Sequence, residues 1–207
     1  KDSEIICEVG QENIKQNKIN HRSINEPLKI IWCGLHEPRK NLKLLLEALS
    51  KVSINFELHI LGDGEMKNKW EKSSESFGIA HKCYWYGWVD KEEVKKIYQM
   101  GHVFCITSIS DLTSTVTLEA LSYALPIICL DHCGFSHVIN DSCGVKIPVT
   151  KYNKSVNDFA NIITTLYKQE DYRIKLSKGA ILRSEDFSWD KKIKKINNIY
   201  SSLLKGN

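Results

Sequence analysis

Asp111 and Glu119 stand eight positions apart in the run SISDLTSTVTLEALSYALPIICL, between one apolar, strand-like stretch and a second led by Pro126. An apolar run, a short loop of small polar residues and then a helical pattern form a layout that sets an anion on the first turn of the helix, whose amides have no intrahelical partner. Asp111 falls at the mouth of that loop and Glu119 about a turn into the helix. Carboxylates so placed would accept hydrogen bonds from two hydroxyl-bearing parts of one ligand. The anionic middle of that ligand would lie on the amides of Ser114, Thr115 and Val116. This division of labour suits a nucleotide-sugar.

Two further loops belong with this one. GLHEPRKN, starting at Gly34, carries Arg39 and Lys40 to the start of a helical pattern, and LGDGE places Gly62 in a tight turn that lets backbone approach a ligand. Two cations and a helix N-terminus facing one cleft would stabilise a diphosphate, most strongly as it departs with growing negative charge. The bland alternatives stay open: Asp111 also suits a helix cap, Arg39 and Lys40 suit exposed loop positions, and a G-x-G turn is common. Trp85 and Trp88 are expected as packing residues rather than stacking platforms.

The elements that must position these residues alternate. Strands are predicted at LKIIWCG (28–34), ELHILG (57–62), CYWYGWV (83–89), HVFCITS (102–108), PIICL (126–130) and GVKI (144–147). Helical patterns fall at 41–52, 65–78, 91–100 and 113–124, then at about 153–169, 171–184 and 189–204 with no strand between them. This order predicts an α/β fold, a doubly wound, mainly parallel six-stranded Rossmann-like sheet with helices on both faces and a helical C-terminus. Ligand chemistry belongs at the carboxyl ends of its strands. Residues 1–26, polar and irregular, are expected to be a lead-in, and residues 27–207 one domain.

Composition narrows the function classes. With 207 residues, 42% hydrophobic and 26% charged, the chain is an ordinary globular one, and 29 basic against 25 acidic residues give a net +4, too mild to argue for nucleic acid. No apolar run approaches the roughly 20 residues that span a bilayer, and KDSEIICEVG lacks a charged leader followed by an apolar core. The absent initiator Met marks the chain as an expected fragment. Seven cysteines, with Cys33, Cys105 and Cys129 in strand-like runs, are expected as reduced core residues of a cytoplasmic protein. Cys129, His132, Cys133 and His137 have a zinc-like spacing, but Cys129 lies inside a strand pattern and no metal is expected there. Lys191, Lys192, Lys194 and Lys195 oppose an apolar stripe of Ile193, Ile196, Tyr200 and Leu203. A solvated face over a docked helix is expected, with peripheral contact to an anionic membrane as the alternative.

The run TSISDLTSTVTLEALSYALPIICLDHCGFSHVI resembles the donor-site signature of the retaining family 4 glycosyltransferases of GT-B fold, E-x7-E followed by a small-residue helix and G-x-P-V-I. GLHEPRKNLKLLLEAL, HILGDGE, CYWYGWVDKEEVKKIYQ and FSWDKKIKKINNIY resemble further motifs of that family in the same order, so the resemblance covers about residues 28–204. It implies that Glu119 holds the ribose hydroxyls, that Asp111, one methylene shorter than the family's Glu, contacts the transferred sugar, and that Lys40 binds phosphate. The family's Arg after the Gly is Leu35 here, with Arg39 as its substitute, and His137 stands where the family often has Glu. The backbone near Trp88 and Val89 matches the segment that cradles the base.

The resemblance further implies a C-terminal donor-binding domain whose acceptor site, with a catalytic His, comes from an N-terminal half this chain lacks. The expected activity is transfer from a UDP- or GDP-sugar to a polysaccharide, lipid-linked or other glycan acceptor, as in bacterial capsule or lipopolysaccharide synthesis, with no metal cofactor. The fragment alone is expected to bind donor but transfer poorly. A degenerate, non-catalytic nucleotide-sugar binder is one alternative. A dinucleotide-dependent oxidoreductase is another, disfavoured because no G-x-G-x-x-G opens the first helix and no lone acidic residue is read at the end of the second strand.

Overall fold

The computed structural model describes residue 10 and residues 18–112 and 115–205, with the side chains of residues 203 and 205 excepted. Six strands form one sheet: β1 (Leu28–Cys33), β2 (Phe56–Leu61), β3 (Cys83–Gly87), β4 (Val103–Ile106), β5 (Ile127–Leu130) and β6 (Gly144–Ile147). Their spatial order is β3-β2-β1-β4-β5-β6, and every pairing is parallel. The chain winds outward from β1 to β3, then returns to β4 on the other side of β1. The carboxyl ends of β1 and β4 therefore flank the crevice where ligands of such sheets bind.

The apolar strands are buried on both faces, and their alternate residues feed two cores. Ile30, Trp32, Val103, Cys105, Ile128 and Leu130 pack with α1 (Leu42–Ser50), Trp70 of α2 (Lys67–Ser76) and Phe159 of α6 (Tyr152–Lys168). On the other face Ile31, Phe104, Ile106 and Ile127 pack with Tyr98 of α3 (Lys91–Met100), Leu118 of α4 (Thr115–Ser122), Phe135 of α5 (Phe135–Val138) and Ala180 of α7 (Glu170–Glu185). Parallel strands covered by helices on both sides need this unbroken apolar character. The edge strand β3 is only partly buried.

The described part of the lead-in is irregular yet anchored. Arg22 donates to the carbonyl of Tyr167 at 2.6 Å and lies 4.3 Å over that residue's ring, and Arg173 donates to the carbonyl of Asn20 at 2.6 Å. These contacts hold residues 18–26 against α6 and α7.

The final helix, α8 (Trp189–Lys205), corrects an expectation. Its apolar stripe is largely uncovered: Ile193 is 52% and Tyr200 64% exposed, Ile196 is half-buried, and the side chain of Leu203 lies outside the described residues. Among the described residues no helix is long and apolar enough to cross a membrane.

Candidate active site

The loop after β1 is fixed before it reaches the cleft. Trp32, buried in β1, donates from Nε1 to Thr107 Oγ1 at 3.1 Å, and that hydroxyl donates to the carbonyl of Lys40 at 2.7 Å. The amide of Ile109 donates to the carbonyl of Arg39 at 2.9 Å, so the loops after β1 and β4 are joined along their length. Pro38–Lys40 form one 3-10 turn, and Asn41, with φ 48°, turns the chain into α1. Asn tolerates that left-handed conformation better than most residues.

The loop after β2 is pinned to the same place. Gly62 donates to the carbonyl of Gly87 at 2.9 Å, Gly34 donates to that of Leu61 at 3.1 Å, and His36 donates from its amide to Asp63 at 2.9 Å. Asp63 stands just past β2, in company with Glu65. Its carboxylate accepts from the Gly64 amide at 2.7 Å and from Lys67 at 3.3 Å, which holds it below the usual range. It is turned to the start of α2.

Above the switch point these loops enclose a cleft of about 370 Å³, within the size range of small-molecule sites. Gly34, Arg39 and Lys40 line it from the β1 loop, Gly62 from the β2 loop, Trp88 and Val89 from the β3 loop, and Asp111, Thr115 and Val116 from the β4 loop and the first turn of α4. All the predicted residues but Ser114 and Glu119 are thus gathered from four loops at the carboxyl edge of the sheet. Ser114 lies outside the described residues. Trp88 is 72% exposed at the cleft rim, contrary to the packing role expected of it, because β3 ends at Gly87 on the sheet edge. Trp85 does pack, its ring centroid 5.8 Å from that of His36.

The charges are arranged differently from the expected pair of cations awaiting an anion. Lys40 Nζ donates to Asp111 Oδ2, Arg39 Nε to Glu37 Oε2 at 2.8 Å, and Arg39 Nη1 to the carbonyl of Ser110 at 3.1 Å. Arg39 Nη1 also lies 3.7 Å from Asp111 Oδ1. Asp111 reaches both cations because the loops after β1 and β4 lie side by side, while Glu37 meets Arg39 from within the β1 loop. Asp111 is further held by its amide, which donates to Cys133 Sγ at 3.4 Å, and by its Oδ1, which accepts from Leu112 at 3.0 Å.

Glu119 stands beyond the residues that line the cleft, on the exposed side of α4. Partial burial holds its carboxyl above the usual range, against the pull of Lys91. Its charge reaches the cleft wall: burial pushes the Cys33 thiol up to about 11, and Glu119 adds to the rise. Cys33, Leu61 and Val94 also line the cleft and went unread in the sequence, where they look like core residues. Thr107, buried behind the lining just past the end of β4, also went unread, a polar residue at the end of an apolar strand. Among the described residues no three His, Cys, Asp or Glu side chains converge as a metal set.

A Rossmann-like sheet whose loops gather at the switch point has the layout in which small ligands are held. The comparisons with known proteins name its family. The model of the glycosyl transferases group 1 family matches residues 13–183, and the chain belongs to that family. It is 25% identical over 195 residues to an uncharacterized glycosyltransferase of Methanocaldococcus jannaschii, covering 91% of this chain and 50% of the relative. It is 31% identical over 115 residues to the lipopolysaccharide 1,6-galactosyltransferase of Salmonella typhimurium, covering 52% of this chain and 31% of that enzyme. Among solved structures, the lipopolysaccharide outer core galactosyltransferase WaaB superposes with a TM-score of 0.79 at 22% identity, over 94% of this chain and 54% of WaaB. The pneumococcal O-GlcNAc transferase GtfA, in complex with UDP and GlcNAc, also gives 0.79, at 18% identity over 94% of this chain and 38% of GtfA. The chain spans half the length or less of these curated relatives.

Proposed function

We propose that this chain is the C-terminal, donor-binding domain of a retaining family 4 glycosyltransferase of GT-B fold. The donor is a UDP- or GDP-sugar and the acceptor a polysaccharide, lipid-linked or other glycan. The observation that carries this reading is the convergence of Lys40, Arg39, Asp111 and the first turn of α4 on one cleft between β1 and β4. In it Lys40, Arg39 and the amides of Thr115 and Val116 hold the diphosphate, Asp111 contacts the transferred sugar and Glu119 the ribose.

The chemistry asked of these groups is electrostatic. As the bond from sugar to diphosphate breaks, charge collects on the diphosphate oxygens, and fixed cations and amides stabilise that state more than the ground state. The proposal assigns this neutralisation to side chains and helix amides rather than to a metal. Acceptor and transfer belong to a second half, so this chain alone should bind donor and transfer poorly. A cytoplasmic setting fits the free thiols of Cys33, Cys83, Cys105, Cys129, Cys133 and Cys143. The exposed stripe of α8, with Lys191 and Lys194 on its other side, favours peripheral contact with an anionic membrane.

Calorimetric titration with UDP and with GDP tests the reading, since saturable binding of one of them names the base. Absence of both, in a folded chain that also fails when joined to its other half, would favour a degenerate domain.

A further inference from the structure

The cation that should receive a phosphate is already occupied. Lys40 donates to Asp111 with the two side chains only 10% and 13% exposed, and Arg39 Nη1 lies 3.7 Å from the other oxygen of the same carboxylate. Asp111 therefore bridges both cations of the cleft, at the place where the donor reading puts the diphosphate. We propose that Asp111 is an internal stand-in for the donor's phosphate, which it must vacate on binding and to which it returns after transfer. The proposal rests on the donor-site reading and adds to it a device that weights binding toward the intact donor.

A carboxylate and a phosphate held by the same lysine in a nearly dry cleft repel each other, because neighbouring like charges are poorly screened there. An arriving diphosphate must displace Asp111 from Lys40. The backbone need not follow: the Asp111 amide stays on Cys133 Sγ, and Gly134 donates to the carbonyl of Leu112 at 3.1 Å, holding the loop to the segment before α5. Rotation of one short side chain suffices. Besides the Leu112 amide on its Oδ1, the displaced carboxylate recovers partners from hydroxyls, which a nucleotide-sugar brings beside its diphosphate and which pyrophosphate does not. Once the sugar has been transferred, Asp111 again competes for Lys40 and helps expel the nucleoside diphosphate.

The test is titration of the folded chain with UDP, GDP and inorganic pyrophosphate, repeated on Asp111→Asn, Asp111→Ser, Asp111→Glu and Lys40→Ala, with circular dichroism as a check on folding. Neutral variants should bind pyrophosphate and the preferred nucleoside diphosphate five- to twentyfold more tightly, and Asp111→Glu should not. Unchanged or weaker binding in whichever neutral variant folds, while Lys40→Ala still weakens it, overturns the stand-in and leaves the donor site. Equal binding by wild type and Lys40→Ala, or no binding by any form at millimolar ligand, overturns both.

Discussion

A methyl group on Gly62 would stand 2.1 Å from the carbonyl oxygen of Gly34. Gly62 has φ 108°, which side-chain-bearing residues rarely adopt, and its amide is spent on Gly87. The loops after β1, β2 and β3 meet at this one backbone contact, so the floor of the cleft is set by a residue with no side chain. Gly62→Ala should cost at least about 1–3 kcal/mol from the dihedral alone, and more as the β1 loop is pushed away. Urea unfolding reads the loss, and nucleotide titration should show weakened binding. A variant as stable as wild type would show that the contact relaxes freely.

Thr107 does for the other wall what Gly62 does for the floor. Its hydroxyl accepts from the Trp32 indole and donates to the carbonyl of Lys40, all within the core. Thr107→Val keeps the shape but leaves both groups without that partner. The expected cost is about 1–3 kcal/mol, the range for a buried polar group left unpaired. Thr107→Ser should recover most of it. If Val and Ser behave alike, the hydroxyl is not what holds the loop.

Lys40 and Glu119 should separate when nucleosides are compared with diphosphates. Lys40→Ala should weaken a nucleoside diphosphate by more than tenfold and hardly affect the nucleoside. Glu119→Ala should weaken both, by about 1–3 kcal/mol for hydrogen bonds to a charged acceptor. Unchanged affinity in folded Glu119→Ala would remove it from the site.

The fold was legible because β1, β4 and β5 are short apolar runs that must be covered on both faces, separated by helical spacing. The pairing of Lys40 with Asp111 was not, because 71 positions separate them and only the return of β4 to the side of β1 brings them together. The motif resemblance selected both residues without revealing that they neutralise each other. The four-residue helix α5 escaped because one turn has no periodicity to read. Trp88 was misjudged because aromatic residues usually pack, and nothing in CYWYGWV marks where an edge strand stops. The α8 stripe looked dockable for the same local reason: amphipathicity shows a face and not what covers it.

His36 gives the domain an acid limit. It is 1% exposed and lies between Trp32, Trp70 and Trp85, its ring 5.6, 5.2 and 5.8 Å from theirs, with neither ring nitrogen hydrogen-bonded. Burial lowers its pKa from 6.5 to about 4, Asp63 opposing and Lys67 assisting, and His102 is lowered to about 3 by burial and Arg173. An unfolded chain takes up these protons near pH 6.5 and the folded one does not. Stability is therefore fully present above that pH and falls as the pH drops toward 4. At pH 5 the expected loss from His36 alone is about 2 kcal/mol. The residue lies in the β1 loop, whose backbone bonds to Asp63 and Met66 also shape the cleft, so donor binding by the folded chain should hold until the pH nears 4, where the folded ring itself takes up the proton. Urea midpoints at pH 7.5, 6 and 5 for wild type and His36→Phe would test this. The variant should lose less stability on acidification, and identical pH profiles would mean that His36 does not sense acid.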